Sequence, residues 1–298
     1  MADRPIPAVL SIAGSDSGGG AGIQADLKAF ARCGVHGMTA VAALTAQNTV
    51  AVTGVHSVPG EFIVTQVRAV ADDIGVDAVK IGMLGTAETV RAVRDALDLL
   101  DPGTPVVLDP VMVAESGAVL LDEAARAAIV DELLPRVTVI TPNVPEARVL
   151  AATADEVEGG GDDRAADDRG PGAANDVEAL ARRLHALGPV VVLTGGHRET
   201  ATDLFFDGDT FEVIAGATHP DGASHGSGCT HSSALAAHLA LGYTPLEAAR
   251  EAKRIASEAV RDGLRELGAG AGPVDVFDLR RRASARARTG RAAAGPLA

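Results

Sequence analysis

The chain has 298 residues, a formal net charge of −14 at pH 7 and 47% hydrophobic residues, of which very few are aromatic. This length suffices for one large α/β domain or two small ones with a buried, mainly aliphatic core. The acidic balance excludes a broad nucleic-acid-binding surface, because such a surface must neutralise phosphates.

Cysteine usage and the N-terminal residues indicate the compartment. The two cysteines, Cys33 and Cys229, cannot build a disulfide framework and have no CxxC spacing, which suits a reducing cytoplasm. The first residues, MADRPIPAVLSIAG, lack the basic start and long apolar stretch of a signal peptide, and no apolar run reaches membrane-spanning length. We therefore expect a cytoplasmic protein without membrane or nucleic-acid partners.

Strand-like and helix-like runs alternate along the chain. The pattern predicts, in chain order, strand 8–14, helix 21–34, strand 37–47, helix 61–75, strand 76–82, helix 86–100, strand 105–111, helix 122–134, strand 137–143, helix 176–187, strand 189–196, a hairpin over 202–216, and helices 228–241 and 245–267. Because the strands are apolar on both faces, we expect a three-layer α/β/α sandwich with a mostly parallel central sheet. No shift in composition divides it, so a single domain over residues 1–279 is predicted.

Two segments fall outside this alternation. Residues 155–176 (DEVEGGGDDRAADDRGPGAAND) are acidic and rich in glycine, which predicts a mobile surface insertion. Residues 280–298 begin with RRRASARAR and then become low in complexity, which predicts a disordered basic tail.

The stretch GSGCT, residues 226–230, joins a glycine-broken loop to the start of a predicted helix. The first backbone N–H groups of a helix lack intrahelical acceptors and carry the positive end of its dipole, so anions bind there. Gly226 and Gly228 let the backbone approach a phosphate closely. The same positive end is expected to lower the pKa of the Cys229 thiol. A buried, inert cysteine is the alternative interpretation.

A second glycine cluster, AGSDSGGGAGIQAD (13–26), follows the first predicted strand. It is neither a P-loop, since it lacks the lysine, nor a GxGxxG dinucleotide loop. Four further motifs also follow strand-like runs: TAQN (45–48), KIGML (80–84), LDPVM (108–112) and TPNVPEA (141–147). We expect all of them at one edge of the sheet, where open α/β sheets bind ligands.

Seven motifs occur in a fixed order between about residues 8 and 275: AGSDSGGGAGIQADLKAF, TAQNT, KIGML, VLDPVMVAESG, ITPNVPEA, GGH and HGSGCT. As an ordered set they closely resemble the hydroxymethylpyrimidine/phosphomethylpyrimidine kinases of thiamine biosynthesis, a family of the ribokinase-like superfamily. The resemblance implies an enzyme that uses ATP and Mg²⁺ to phosphorylate 4-amino-5-hydroxymethyl-2-methylpyrimidine and then its monophosphate. It also implies a homodimer.

Two other functions stay open at this point. A pyridoxal-type kinase has the same fold, and pyridoxine also carries a hydroxymethyl group on a flat heteroaromatic ring. A catalytically inactive pyrimidine-binding sensor is the other alternative.

The resemblance also implies which residues bind the pyrimidine. The carboxamide of Gln47 can satisfy one donor and one acceptor of an aminopyrimidine, and Asp26 matches the family's substrate carboxylate. Four more positions match residues that line the pyrimidine pocket: Gly14, Ala21, Met83 and Val111. Core packing is the alternative for Met83 and Val111, and a solvated helix carboxylate is the alternative for Asp26.

Phosphoryl transfer depends mainly on positioning and charge neutralisation, and the resemblance places the groups that supply them. The helix start at Gly226–Cys229 is expected to hold the moving phosphoryl group. Cys229 stands where related sugar kinases carry an aspartate base, which makes it a base or orienting group and not a covalent nucleophile. Asn143 and Glu146 match an NxxE-like pair that orders Mg²⁺ through its waters, and Asp109 is a further metal candidate. Helix capping is the alternative role for Asn143.

The expected nucleotide contacts are Asn143, Glu146, Thr194, Gly196 and Ser227. Two departures from the family pattern occur nearby. Thr194 stands where the family commonly has a lysine, so a phosphate contact is lost unless an arginine such as Arg198 replaces it. His231 follows GCT, where an apolar residue is usual, and His225 lies close in sequence. We expect these histidines to be exposed or on the substrate side, with a two-histidine metal site as the less favoured alternative.

Overall fold

The computed structural model describes residues 4–157, 173–197 and 201–288. Its strands and helices are, in chain order, β1 (Ala8–Asp16), α1 (Gly22–Cys33), β2 (His36–Gln47), β3 (Val52–Ser57), α2 (Gly60–Asp73), β4 (Ala78–Ile81), α3 (Ala87–Leu97), β5 (Val106–Leu108), α4 (Glu123–Ala128), β6 (Val139–Ile140), α5 (Val144–Val157), α6 (Ala173–His185), β7 (Val190–His197), β8 (Thr202–Phe206), β9 (Phe211–Ile214), α7 (Ser227–Ala240), α8 (Pro245–Arg261) and α9 (Leu279–Arg288).

All the described strands belong to one sheet with the order β3-β2-β1-β4-β5-β6-β7-β8-β9. Strands β2, β1, β4, β5, β6 and β7, in this order across the sheet, are parallel to one another. Strand β3 pairs antiparallel with β2, and the β8–β9 hairpin continues antiparallel from β7. The predicted α/β/α sandwich with a mostly parallel sheet is confirmed. The carboxyl ends of the parallel strands therefore meet at one edge.

Two hydrophobic clusters cover the opposite faces of the sheet. Leu10 and Leu108 face one cluster, formed with α2 to α6, while Val9 and Val107 face the other, formed with α1, α7 and α8. This alternation follows from the two-residue period of a strand. Aliphatic side chains can therefore line both faces of each central strand, which is why these strands read as continuous apolar runs.

Helix α7 is central to the second cluster. Each residue from Thr230 to Leu239 is buried, and the many alanines let α1 and α8 approach it closely. Helix α8 begins with a capping box in which Thr244 accepts from the Glu247 amide and Glu247 accepts from the Thr244 amide. The site at the start of α7 is thus anchored in the core.

The structure differs from the sequence-based elements at several places. Strand β3 was not predicted, because five of its six residues are exposed and it pairs only with β2 at the sheet edge. The predicted strand 137–143 pairs over only two residues, and the predicted helix 245–267 ends at Arg261. Helix 122–134 is observed as α4 followed by a π turn, Ile129–Leu133, and a 3₁₀ turn, Leu134–Arg136.

The two irregular segments are only partly described. Helix α5 extends through Val157 and α6 begins at Ala173, so both ends of the predicted acidic insertion are helical. Residues 158–172 lie outside the described residues. The tail predicted to be disordered begins as α9, because the Arg280 amide donates to Asp275 and Arg281 pairs with Asp278. Its last residues, 289–298, are not described. None of the described helices is long and apolar enough to cross a bilayer.

Candidate active site

The glycine-rich turn after β1 is organised by the side chain of Asp16. Its Oδ1 accepts from the Gly18 amide at 2.8 Å, and its Oδ2 accepts from the Gly20 and Ala21 amides at 3.0 and 2.8 Å. Burial alone would raise the pKa of Asp16, but the hydrogen bond from His225 and these amides hold it below its ordinary value. Asp16 therefore fixes the loop that leads into α1.

His225 connects this turn to the second glycine loop. Its Nε2 lies 2.9 Å from Oδ2 of Asp16, and the residue is 6% exposed. Gly226 caps α7 with a φ of +85°, and a Cβ there would lie 1.8 Å from the Gly20 carbonyl oxygen. Only glycine fits this contact. The two glycine loops are thus locked together. Of the two positions expected for His225, exposed or on the substrate side, the exposed one is wrong.

The start of α7 leaves backbone donors for an anion. The Ser227 amide donates to Ser224 at 2.9 Å and the Thr230 amide to Gly226 at 2.9 Å, whereas the amides of Gly228 and Cys229, among the described residues, have no such acceptor. Gly228 is exposed. Because these are N-terminal helix amides, the geometry supports the predicted anion site.

Asp26 lies beneath this helix start and does not face solvent. It is 0% exposed, and its Oδ2 accepts from Ser11 at 2.6 Å while its Oδ1 accepts from Ser233 at 2.8 Å. The Lys80 ammonium lies 2.9 Å from the same Oδ1. The solvated alternative for Asp26 is therefore wrong, whereas its contact with the substrate amine stays a prediction. Protein donors already occupy the carboxylate.

Lys80 was not among the predicted site residues, although a lysine inside the apolar strand β4 is itself unusual. It is 0% exposed and lies between Asp26 and Asp109, the second at 3.9 Å. Burial alone would lower the pKa of Lys80, but the two carboxylates and the Cys229 sulfur keep it above the ordinary lysine value. A fixed positive charge thus lies behind the predicted phosphoryl site.

Cys229 is half-buried at the first turn of α7. Burial raises the pKa of its thiol to about 12, and Asp26 and Asp109 add to this effect, while Lys80 and a hydrogen bond from Gly22 act in the opposite direction. The sequence-based expectation of a lowered thiol pKa is therefore wrong. Removal from water outweighs the helix start, and Cys229 carries its proton at neutral pH.

The residues predicted to bind the pyrimidine lie at the ends of four adjacent strands. Gly14 is in β1 and Gln47 ends β2, whereas Met83 follows β4 and Val111 follows β5. A Cβ on Gly14 would lie 2.6 Å from Cε of Met83, so the methionine methyl packs directly over the glycine. Met83 and Val111 are half-buried, which leaves part of each side chain for a ligand. Ala21, the N-cap of α1, lies in the adjoining loop.

Gln47 is held in place by its neighbours. Ser17 both donates to the Gln47 carbonyl at 2.7 Å and accepts from its amide at 2.9 Å, and Thr45 donates to its side-chain Oε1 at 3.1 Å. No acceptor for the Gln47 Nε2 is found among the described residues. The carboxamide can therefore offer a donor to an aromatic ring nitrogen.

Asn143 and Glu146 form a reciprocal cap at the start of α5. The Glu146 amide donates to Asn143 Oδ1 at 2.9 Å, and the Asn143 amide donates to Glu146 Oε2 at 3.0 Å. The capping role left open by the sequence is therefore present. Burial and, next, the charge of Asp109 raise the pKa of Glu146 to about 7. Burial also raises the pKa of Asp109, which accepts from Ser232 at 3.0 Å.

The raised pKa of Glu146 gives a testable pH dependence. Ionisation of this group is less favourable in the folded than in the unfolded protein, so the penalty is absent in acid and grows as the pH rises towards 7. Glu146→Gln keeps an acceptor for Asn143 but removes the charge. In thermal unfolding without nucleotide or Mg²⁺, we expect the variant to be more stable than the native protein at about pH 8 and equally stable at about pH 4. A Glu61→Gln control on an exposed helix start should lack this pH-dependent gain, and equal behaviour of the two variants would contradict the assignment.

A cavity of about 780 Å³ joins the start of α7 to the start of α5. Its lining includes four of the predicted nucleotide and phosphate residues: Asn143, Thr194, Ser227 and Gly228. Thr194 donates its amide to Pro142 at 2.9 Å and its hydroxyl to the same carbonyl at 3.3 Å. Gly196 lies near the end of β7, and Arg198 lies outside the described residues.

His231 lines the same cavity and is 4% exposed. It faces Asp203 of β8, whereas His225 faces Asp16, so the two histidines belong to separate clusters. Within the described residues, no group of three or more His, Cys, Asp or Glu side chains is arranged to hold a metal ion. Of the two positions expected for His231, exposed or on the substrate side, the exposed one is wrong, and a two-histidine metal site finds no support.

The architecture and the site together define a class of protein. A mostly parallel α/β/α sheet, with unpartnered amides at a helix start beside two interlocked glycine loops, is the arrangement of a ribokinase-like kinase. A family model described as phosphomethylpyrimidine kinase matches residues 16–275. The chain belongs to this family, as its motifs predicted.

Sequence relatives support the same assignment. A hydroxymethylpyrimidine/phosphomethylpyrimidine kinase of Rhizobium meliloti is 45% identical over 275 residues, covering 90% of this chain and 96% of that protein. The protein of that name from Mycobacterium tuberculosis is 42% identical over 272 residues, covering 90% of this chain and 93% of its own length.

Solved structures agree on the fold. Pyridoxal kinase from Staphylococcus aureus in complex with ADP has a TM-score of 0.77 at 31% identity and covers 93% of this chain and 96% of its own. Phosphomethylpyrimidine kinase from Clostridium difficile has a TM-score of 0.69 at 36% identity, with 85% and 99% covered. The ribokinase-like fold predicted from the motifs is confirmed.

Proposed function

We propose that the protein transfers the terminal phosphoryl group of ATP to 4-amino-5-hydroxymethyl-2-methylpyrimidine and then to the resulting monophosphate. The observation that carries this proposal is the position of the α7 start. Gly228, whose amide has no acceptor among the described residues, lines the cavity that contains Asn143 and Thr194. In the same turn the Cys229 sulfur accepts from the amide of Gly22, which lies against Gly14 near the end of β1.

Each side of this helix start has a distinct task. On the strand-end side, the Gln47 carboxamide orients the aminopyrimidine ring, and the Met83 methyl and Gly14 form an apolar floor beneath it. On the cavity side, the Gly228 and Cys229 amides hold the transferred phosphoryl group. The acceptor hydroxyl is thereby fixed in line with the nucleotide, which removes much of the entropic cost of the transfer.

Cys229 acts here as an orienting group. Its thiol retains its proton at neutral pH because burial raises its pKa to about 12. The loose transition state of phosphoryl transfer requires little proton removal before the acceptor oxygen attacks. The sulfur can accept a hydrogen bond from the hydroxyl and direct its lone pair towards phosphorus.

The carboxylates fit a Mg²⁺ ion that is shared with a nucleotide. Mg²⁺ is commonly held by one or two carboxylates, several waters and substrate phosphates. Burial raises the pKa of Asp109, burial and the charge of Asp109 raise the pKa of Glu146, and a cation would relieve both costs of ionisation. Asp109, and Glu146 through water, would hold the ion, which supplies neutralisation of phosphate charge. The homodimer, the single domain over 1–279 and the cytoplasmic location remain predictions that accompany this proposal.

Direct assay of the two steps tests the proposal. Purified protein is incubated with ATP, Mg²⁺ and either the alcohol or its monophosphate, and the phosphorylated products are measured separately by mass spectrometry. We expect ATP-dependent formation of the monophosphate and the diphosphate. Transfer to neither compound would overturn the assignment.

The structural neighbours favour a second candidate acceptor. Pyridoxal kinases from Staphylococcus aureus and Bacillus subtilis both have TM-scores of 0.77 to this chain. Comparison of kcat/KM for the aminopyrimidine and for pyridoxal distinguishes the two activities. The aminopyrimidine is expected to be preferred.

The Gln47→Met variant tests which ring the site recognises. Removal of the carboxamide leaves the exocyclic amine and a ring nitrogen without partners, so kcat/KM for the aminopyrimidine should fall roughly tenfold to a hundredfold. The value for pyridoxal should fall much less. Val55→Met, on the exposed edge strand β3, is the control. Equal losses for both rings would show that Gln47 does not select the pyrimidine.

A further inference from the structure

His231 is the group in the cavity to which the proposed reaction gives no task. It lies on α7 one turn after Ser227 and Gly228, and helical side chains lean back over the preceding turn. The residue is 4% exposed, and its Nδ1 has no partner among the described residues, while its Nε2 lies 3.1 Å from Asp203 Oδ2. A buried ring nitrogen without a hydrogen-bond partner is unfavourable. The cavity next to it can supply the missing partner.

Asp203, which lines the same cavity, lies close to the imidazole. Its Oδ2 lies 3.1 Å from His231 Nε2, at ion-pair distance but without hydrogen-bond alignment. Its Oδ1 is already occupied by the Lys253 ammonium at 2.7 Å and the Gly195 amide at 3.1 Å. One carboxylate is therefore shared by two basic side chains. When His231 is protonated, the cluster carries an excess positive charge.

The other basic side chains that line the described part of the cavity are engaged. Lys253 pairs with Asp203, Arg148 pairs with Asp176 at 2.7 Å, and a ring nitrogen of His219 lies 2.9 Å from the Ser257 hydroxyl. Lys253 and Arg148 are thus already paired with carboxylates, whereas the Nδ1 of His231 has no partner among the described residues. Thr194 of the neighbouring strand β7 also lines the cavity, but its side chain is uncharged.

Several charged groups face His231 from the elements around it. They are Asp203 from β8, Lys253 from α8, and Asp109 at the end of β5, with Cys229 on its own helix. Arg148 of α5 and His219 lie farther along the cavity wall. The two carboxylates attract a protonated imidazole, whereas the Lys253 ammonium repels it.

We propose that His231, oriented by Asp203, donates a hydrogen bond to a terminal phosphate oxygen of the bound nucleotide, so that nucleoside di- and triphosphates bind more tightly when the imidazole is protonated. The proposal rests on the proposed kinase function for the choice of anion. The Gly228 amide and the imidazolium then converge on one phosphate group, and a charge-assisted bond adds to the helix-start amides.

Calorimetric titration without any pyrimidine tests this contact directly. ADP and AMP are titrated into native protein, His231→Gln, His231→Lys and the control His36→Gln, at the exposed start of β2, across the pH range in which histidines titrate. For native protein we expect the ADP dissociation constant to rise as the pH rises, while AMP, which lacks the distal phosphate, changes little. His231→Gln should bind ADP roughly tenfold or more weakly in acid and lose the pH dependence. His231→Lys should restore tight binding at every pH, and His36→Gln, which lies outside the cavity, should behave as native.

The outcomes separate this contact from the acceptor assignment. Equal weakening of ADP and AMP by His231→Gln would indicate a structural role and overturn the proposal, as would an unchanged pH dependence or an absence of ADP binding. Nucleotide binding with the expected pH dependence, but without phosphate transfer to either pyrimidine, would support the His231 contact and overturn the proposed acceptor.

Discussion

Replacement of Cys229 by alanine should lower kcat for both phosphorylations roughly a hundredfold or more, with little change in KM for ATP. The sulfur lies at the helix start, where the acceptor hydroxyl and the phosphoryl group must meet. Its loss removes an orienting contact without touching the backbone amides. Steady-state kinetics with the alcohol and the monophosphate measure this effect.

Cys33→Ala is the matched control. This second thiol is also half-buried, and burial raises its pKa to about 11. It lies at the end of α1 and packs against the hydrophobic cluster formed with α1, α7 and α8. Its turnover should equal that of native protein. Since the Cys229 thiol has a pKa of about 12, alkylation by iodoacetamide at neutral pH should also be slow. Unchanged turnover of Cys229→Ala would reduce the residue to a packing role.

The Lys80→Met variant should lose roughly 3–5 kcal/mol of unfolding free energy at neutral pH. Methionine fills the space of the lysine chain but leaves the Asp26 carboxylate buried without a cation, and Asp109 loses a positive neighbour. The loss of unfolding free energy should be smaller in acid, because protonated carboxylates are neutral and need no cation beside them. Urea unfolding at two pH values measures it.

Arg250→Met is the control for this measurement. Arg250 pairs with Glu212 at 2.6 Å, but both side chains are more than one-third exposed, so a change of at most about 1 kcal/mol is expected. If Lys80→Met does not fold, the double variant Lys80→Met/Asp26→Asn removes both members of the pair and should recover much of the stability. A Lys80→Met protein as stable as native would refute the buried ion pair.

The positions of the predicted site residues were largely determined by their place after strands. Parallel strands bring their carboxyl ends to one edge, so motifs that follow β1, β2, β4 and β5 had to gather there. The glycines were also informative, since Gly226 must adopt a positive φ against the Gly20 carbonyl. These are local properties of sequence, and they were sufficient for the fold and the family.

The ionisation and partners of the site residues were not predictable in this way. The Asp26 carboxylate accepts from Ser233 of α7, which is 207 residues away. Its other two partners, Ser11 and Lys80, lie on strands β1 and β4. Helix position alone suggested an acidic Cys229 thiol, but the surrounding burial reverses that direction. Strand β3 was missed because an exposed edge strand carries little hydrophobic pattern.

The sequence by itself thus determined the order of elements, the sheet edge that carries the site and the kinase family, because periodicity, glycine positions and ordered motifs are written along the chain. Only the tertiary structure decided which charges are buried and paired, as in the Lys80 and His231 clusters. Burial and pairing arise from contacts between distant segments, and the removal of water at those contacts sets the pKa of each group.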